Sequence, residues 1–451
     1  MKKNRFVSIV LLLITLISLS IPPVAALEPL ELECSNAILV DVNHGEILHE
    51  KYAYDKAYPA SITKVMTALL VLEAIDAGEL TLDTLVTVSE TAAKKQYSNE
   101  STANLKAGEQ LRVEDLLYCL MLPSANDSAK ALAEAVSGNL TDFVTRMNER
   151  ATELGCKNTH FVNPHGLHDP EHYTTAYDIY LMFAEALKHD LFRTVISTAS
   201  YTVPPTNLKD ERLFYNTNGL ISNLYYIGYT YPKCIGGKTG TTDEAGRCLV
   251  SAAEDDDTLL ISVILGSGVV IRDDKQKQGQ LTESIKLLDH GFDNFHRVTI
   301  TKESEPVAKV AVTLSREADA VMVKPQGSVT RTLPIDLDVE QIESEIILFS
   351  DTVEAPVKEG QILGSMTLSY EGTEYGTLDL VAVSSVERSE LLYKKEQFIL
   401  FFQTSGTKLA MGVIAVIVLI VALRLLVFRK RRRYRSRNSS NSQGNYRGSR
   451  R

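Results

Sequence analysis

Two apolar runs within Ala37–Leu48 flank Asn43-His44-Gly45, a pattern that predicts a β-hairpin with Gly45 supplying the positive φ of the turn. Farther on, Ile62, Val65, Met66, Leu69 and Leu72 form the stripe of a helix over Ser61–Ala77. Pro59 interrupts regular structure just upstream, which places Ser61 at or near the first helical turn. Val113–Leu122 and Ala125–Val136 read as helices broken at Pro123, and Leu140–Leu154 and Ala176–Lys188 repeat the helical period. From Ile235 the period changes to that of strands, with Arg247–Ala253 and Thr258–Gly266 joined by the acidic turn Glu254–Asp257, before Thr282–Phe295 returns to helix. A hairpin, a helical middle, antiparallel strands and a closing helix make one α+β unit, expected over residues 27–296.

Residues 297–390 carry a different pattern. Val298–Thr301, Val307–Thr313, Ala320–Val323, Glu345–Phe349, Met366–Tyr370 and Thr377–Val383 are short β-prone runs separated by Pro, Gly and charged turns, which predicts a separate small all-β domain. Two longer apolar stretches frame these units. Residues 1–26 combine a basic start, an apolar run from Phe6 to about Ile21 and Val24-Ala25-Ala26, the form of a secretory signal peptide. Leu409–Phe428 is a run of 20 residues with one charge, Arg424, long enough at 1.5 Å per residue to cross about 30 Å of hydrocarbon as a helix. Arg429, Lys430, Arg431, Arg432 and Arg433 follow at once, so the tail 429–451 is expected in the cytoplasm and everything before Leu409 outside. The linker 391–408 carries Phe398, Phe401 and Phe402, which suit a membrane interface or a last element of the β domain.

Charge sharpens this division. Residues 27–423 hold 33 Lys or Arg against 57 Asp or Glu, so the body repels phosphate backbones and nucleic acid is excluded as a partner. Cys34, Cys119, Cys156, Cys234 and Cys248 show no zinc-type or CxxC spacing and predict no disulfide framework.

Three short motifs carry candidate chemistry: Ser61-Ile62-Thr63-Lys64 (SxxK), Ser124-Ala125-Asn126 (SxN) and Lys238-Thr239-Gly240 (KTG), separated by 63 and 114 residues. The first opens a predicted helix, the second sits at a helix junction and the third lies on the first of several antiparallel strands. Residues three apart share a helical face, so Lys64 lies beside Ser61 and takes its proton if the amine is neutral. A free lysine titrates near ~10.4, and bringing it to ~7 requires roughly 4 kcal/mol against the ammonium. Burial, a helix N-terminus and a second cation, Lys238, all act in that direction. The expected catalytic residues are therefore Ser61 as nucleophile, Lys64 as general base and Ser124 as a proton relay to a leaving amine. Asn126 is expected to hold a substrate amide by two hydrogen bonds, Lys238 and Thr239 a terminal carboxylate, and the N–H groups of Ser61 and Thr241 an oxyanion. Gly236, Gly237 and Gly240 are expected to leave the strand edge bare for substrate.

With Tyr58-Pro59-Ala60 before Ser61, Thr159-His160-Phe161-Val162-Asn163-Pro164-His165-Gly166-Leu167, Gly237-Lys238-Thr239-Gly240-Thr241-Thr242 and Val357-Lys358-Glu359-Gly360-Gln361, the chain resembles the serine D-alanyl-D-alanine carboxypeptidases, low-molecular-mass penicillin-binding proteins. The resemblance implies a transpeptidase/β-lactamase-like catalytic domain, a C-terminal β domain and a membrane anchor. It implies removal of the terminal D-alanine of peptidoglycan stem pentapeptides and acylation of Ser61 by β-lactams, with no cofactor. One departure concerns an arginine that many relatives place about a dozen residues before a Gly-Phe ending the closing helix. Here Gln280 falls near that place before Gly291-Phe292, and Arg272, Lys275 or Lys277 is the candidate substitute contact for the substrate carboxylate.

His160, His165, His168 and His172 fall within thirteen residues, but Pro170 argues against one helix presenting the last pair, and the reading is a polar loop shaped by Asn163 and Pro164 under the active site, with no metal. A class A β-lactamase needs a further glutamate for deacylation, and no ExxLN pattern lies between Ser124 and Lys238. A D,D-endopeptidase remains an alternative, as does a catalytically silent, membrane-anchored penicillin sensor or wall-binding protein.

Overall fold

A computed structural model describes residues 30–272 and 275–438, with the side chains of 272, 275 and 430–438 outside the description. The expected signal peptide and the end of the basic tail lie outside the described residues. Two compact units result: one comprises the described residues through Thr299 plus Thr330–Gln341, the other Ile300–Val329 plus the described residues from Ile342 onward.

The first unit is built on a five-stranded antiparallel sheet. Its strands are β1 (Asn36–Asp41), β2 (Glu46–Lys51), β3 (Cys234–Thr242), β4 (Gly246–Asp255) and β5 (Thr258–Ser267), in the order β2-β1-β5-β4-β3. The first strand lies inside the sheet and β2 forms one edge; after the helical middle the chain returns at the other edge with β3 and works inward by hairpins, so the first and last strands, β1 and β5, pair. Side chains alternate across each strand. Ile38, Val40, Val250, Ile261 and Val263 join one core, and Ala37, Leu39, Leu249, Leu260 and Ile264 join the other. The first face is covered by α1 (Lys64–Asp76), α2 (Val113–Met121), α3 (Asn126–Ser137), α4 (Leu140–Glu153), α5 (Ala176–Ala186) and α6 (Asp190–Ser197). The second is covered by α7 (Gly279–Asn294) through Leu281, Leu287 and Leu288. Helix α1 is buried on nearly every side from Lys64 to Leu72, as its all-round apolar sequence requires. Asn139 and Thr175 cap α4 and α5 by accepting from the N–H of Asp142 and Asp178.

The expected elements occur with small shifts of boundary. Missed by periodicity are α6, the one-turn helix Glu90–Ala93, the strand Val329–Pro334 and three short two-stranded ribbons, Leu85–Thr87 with Gln110–Arg112, Ser200–Val203 with Arg212–Tyr215 and Val269–Arg272 with Lys275–Gln278. At three or four residues each, the ribbon strands are too short to show a period.

The second unit is a six-stranded sheet, five of whose strands match expected runs; Thr352–Glu354 adds a parallel edge strand beside Ala308–Thr313. Val310, Val323, Met366 and Leu380 lie in its core. Helices Glu390–Gln403 and Ser405–Asn438 follow, and within the latter Ser405–Arg429 is long and apolar enough to cross a membrane, with mean hydropathy 3.0 and none of its apolar window buried. The expected division at 296/297 is crossed in one place, because Thr330–Gln341 packs with the first unit. Thr332 and Leu333 are buried there, and the Thr332 hydroxyl donates to Asp41. A β-prone run carries no label for the core it will join.

Candidate active site

Ser61 does not begin the α-helix but sits in a 3₁₀ turn, Ala60–Thr63, that leads directly into Lys64 at the start of α1. The tighter turn follows Pro59 and a left-handed Ala60, φ 44°. Lys64 is fully buried, with Nζ 3.0 Å from Ser61 Oγ, 2.7 Å from Asn126 Oδ1 and 2.7 Å from the carbonyl oxygen of His165. The last two atoms can only accept. A neutral amine has two N–H groups and one lone pair. The N–H groups are spent on Asn126 and His165, leaving the lone pair for the Ser61 hydroxyl. Burial, then the neighbouring Lys238, hold the Lys64 ammonium well below the usual lysine range, which favours that neutral form.

Lys238 is likewise buried, and its amine, pushed down to about 7 by burial, lies 2.9 Å from both Ser124 Oγ and the Thr239 carbonyl. Ser124 occupies the left-handed region at φ 64°, a conformation of the kind proteins keep where the surrounding structure holds it for a purpose. Thr239 Oγ1 meets Thr217 Oγ1 at 2.7 Å, and Thr241 is exposed at the end of β3. Thus two linked groups, Ser61–Lys64–Asn126 and Ser124–Lys238, assemble from the 3₁₀ turn, the α2–α3 junction and the edge strand β3.

The surroundings of three expected elements of the site add detail. The glycines of β3 are required by the packing of the protein itself. A Cβ on Gly240 would lie 2.9 Å from the Pro59 oxygen and 3.0 Å from Ser61 N, on Gly237 2.2 Å from the Val250 oxygen, and on Gly236 2.5 Å from Ile196. Gly240 thereby lets the nucleophile turn dock against the strand, beside the N–H of Ser61. Asn126 Oδ1 accepts from Lys64, and Nδ2 donates to Glu100 Oε2 at 3.1 Å, which leaves one N–H and one lone pair for the two expected bonds to a substrate amide. Arg272 ends a strand that pairs with Lys275–Gln278, but its side chain lies outside the described residues. Gln280 is buried in α7, its Oε1 without a hydrogen-bond partner among the described residues.

Glu100 and His165 were missed as members of the site. Glu100 stands 24 positions before Ser124 in a stretch without periodicity. His165 contributes a backbone oxygen, which no side-chain motif reveals. Its loop is held by Asn163, whose Oδ1 accepts from the N–H groups of His165 (3.2 Å) and Gly166 (2.6 Å), and by Thr67, which donates to the Pro164 carbonyl at 2.5 Å. Among the loop histidines, His168 packs edge-on against Tyr58, and His160 Nδ1 meets the Glu171 carbonyl. The five cysteines are free thiols.

His172 reaches the nucleophile turn from beneath. Its Nδ1 accepts from the Val162 N–H at 3.1 Å, so the neutral ring carries its proton on Nε2 and donates to Thr63 Oγ1 at 2.8 Å. Thr63 in turn donates to the Ala60 carbonyl. Burial lowers the imidazole to about 4 from 6.5. Between those values the unfolded chain binds the proton that the folded one refuses, so stability rises with pH through this window and is lost on acidification. The shift corresponds to about 3 kcal/mol. His172→Gln is expected to remove about one proton from the pH dependence of unfolding between pH 6.5 and 4, measured as thermal midpoint against pH; parallel profiles for variant and wild type would exclude this coupling.

A cavity of ≈ 570 Å³ adjoins the cleft, lined by Lys94, Lys95, Glu100 and Lys130 on one side and Asn163 and His165 on the other.

Comparison with known proteins agrees with this arrangement. Residues 23–268 match the family described as D-alanyl-D-alanine carboxypeptidase, and residues 295–388 match the penicillin-binding protein 5 C-terminal domain. The chain is 33% identical over 374 residues to the D-alanyl-D-alanine carboxypeptidase DacF of Bacillus subtilis, an alignment covering 82% of this chain and 88% of that one. It is 31% identical to DacC of Escherichia coli, over 82% of this chain and 89% of that one. Penicillin-binding protein 5 of Haemophilus influenzae superposes with a TM-score of 0.63 at 28% identity, over 80% of this chain and all of the other.

Proposed function

This chain belongs to the D-alanyl-D-alanine carboxypeptidase family, and from that footing we propose that Ser61, Lys64 and Ser124 perform the hydrolysis, with Asn126, Lys238, Thr239, Gly240 and Thr241 forming the substrate cleft. The observation that carries these roles is the placement of a buried amine 3.0 Å from the Ser61 hydroxyl, with acceptor-only partners on its other side.

The substrate is a peptidoglycan stem pentapeptide ending in D-Ala-D-Ala. Its terminal carboxylate lies against Lys238 and the hydroxyls of Thr239 and Thr241. Ser61 Oγ attacks the penultimate carbonyl carbon as its proton passes to Lys64 Nζ. The oxyanion is received by the N–H groups of Ser61 and Thr241, which Gly240 brings together by admitting the turn so close to β3. The C–N bond then breaks, and the leaving amine takes a proton from Lys64 through Ser124, whose hydroxyl is in contact with Lys238. Water repeats the attack on the ester and frees the tetrapeptide. The free N–H of Asn126 holds the peptide upstream of the scissile bond, which runs toward Glu100 and the adjoining cavity. A β-lactam presents a carboxylate and a strained carbonyl to the same groups and stops at the ester.

The helix Ser405–Asn438 anchors the enzyme, with the catalytic unit outside the membrane and the run Arg429–Arg433 in the cytoplasm. The test uses the full-length chain in detergent micelles. It is expected to release D-alanine from a pentapeptide and to carry one benzylpenicilloyl group, located by peptide mass spectrometry on Ser61. An adduct on another residue would dismiss the site, and labelling without D-alanine release would dismiss the peptide substrate.

A further inference from the structure

The hairpin of β1 and β2 lies at the sheet edge opposite β3, and its sequence Asp41-Val42-Asn43-His44-Gly45-Glu46 gathers three ligand types in six residues. Asp41 is 1% exposed, while the side chains of His44 and Glu46 are 14% and 18% exposed. His44 Nδ1 lies 3.7 Å from Asp41 Oδ2 and 3.6 Å from Glu46 Oε2, and all three donor atoms fall within 4.8 Å of one another. These separations are too long for hydrogen bonds. His44 Nδ1 and Glu46 Oε2 are buried atoms without a hydrogen-bond partner among the described residues. Two orphaned polar atoms facing a third across the same gap are costly unless something occupies it.

A zinc ion bound at about 2.0–2.2 Å to nitrogen and oxygen holds tetrahedral neighbours about 3.4 Å apart, close to the spacing observed. The other oxygens are already oriented from outside. Asp41 Oδ1 accepts from the Asn43 N–H at 2.8 Å, and Asp41 Oδ2 also accepts from the Thr332 hydroxyl. Glu46 Oε1 pairs with Arg331 Nε at 3.1 Å, leaving Oε2 turned to the gap. Fixed outer partners of this kind are what orient metal ligands. The partial exposure of His44 and Glu46 gives an ion its entry path and a water its fourth position.

We propose that Asp41 Oδ2, His44 Nδ1 and Glu46 Oε2 form a zinc site separate from the serine cleft, which ties the β1–β2 turn to the returning segment that carries Arg331 and Thr332. The ion is structural in position: none of its ligands belongs to the catalytic groups described above. The full-length chain in micelles, stripped with a chelator and passed through a desalting column after exposure to micromolar zinc, is expected to retain one equivalent. Cobalt in its place is expected to show the intense visible bands of a tetrahedral nitrogen–oxygen site, and zinc to raise the thermal midpoint. His44→Ala and Glu46→Gln should each weaken zinc binding by about 100-fold or more, while Ser61 still labels with fluorescent penicillin at the wild-type rate, which establishes that the fold is intact. Equal zinc retention in the variants and the wild type would overturn the proposal, as would no retained zinc in the wild type, or octahedral cobalt spectra displaced by calcium or magnesium.

Discussion

Acylation of Ser61 by benzylpenicillin is expected to slow by about 10³–10⁴-fold in Lys64→Ala, the upper range for loss of a positioned general base. The reason lies in the three neighbours of the amine. Asn126 Oδ1 and the His165 carbonyl accept from it, so a neutral amine would turn its remaining electron pair to the Ser61 hydroxyl 3.0 Å away. Alanine leaves those acceptors unpaired in a buried space and supplies no base. Lys64→Arg should fail as badly, because a guanidinium stays protonated at any working pH. Ser61→Ala should abolish labelling outright. Stopped-flow acylation with a chromogenic cephalosporin checks all three, and a Lys64→Ala rate within tenfold of wild type would remove this lysine from the proton path. Because Lys64 must be uncharged, wild-type acylation should also fall on acidification, as the amine regains its proton.

Gly166→Ala is expected to be the most damaging substitution outside the catalytic groups. Gly166 has φ +87°, and a Cβ there would lie 1.8 Å from the Ala60 oxygen and 2.8 Å from Thr63 Oγ1. The methyl group must displace the backbone that sets Ser61, and the left-handed conformation adds its own penalty. Together these amount to roughly 2–5 kcal/mol of stability. A shift of the nucleophile by about 1 Å costs on the order of 10²-fold in rate. Gly138→Ala is the matched control, since Gly138 has φ +77° with nothing within 4 Å of its added Cβ. That variant should show the conformational penalty alone, with acylation unchanged. Thermal unfolding and acylation rates of the two variants separate strain from displacement; an acylating, stable Gly166→Ala would show that the Asn163–Leu167 loop does not support the nucleophile turn.

Much of the protein is legible in its residues alone. The stripe from Ile62 to Leu72 marks α1, because helical burial repeats every three to four residues. Ser61 and Lys64 were identifiable as neighbours, because their spacing on one turn is local. Contacts that join distant segments were not. Glu100 meets Asn126 across 26 positions, and the His165 carbonyl meets Lys64 across 101. The strand Phe295–Thr301, which contains the expected run Val298–Thr301, pairs with Val329–Pro334, for which no run was expected, and Thr330–Gln341 packs with the catalytic unit. In β3 the glycines were legible as a demand for space, but the sequence carries no mark of whether substrate or the protein's own turn fills it.

What the residues alone determined were the local matters: which segments are helix or strand, where an apolar helix of bilayer length begins, and which hydroxyl stands one turn from an amine. Those follow from the period of burial and the covalent geometry of a few successive residues. What only the tertiary structure decided was how the charge on that amine is disfavoured and where the amine is aimed. Its burial, its neighbour Lys238 and its two acceptors come from four segments far apart in sequence. A charge state is the sum of such surroundings, and surroundings are not encoded within a turn.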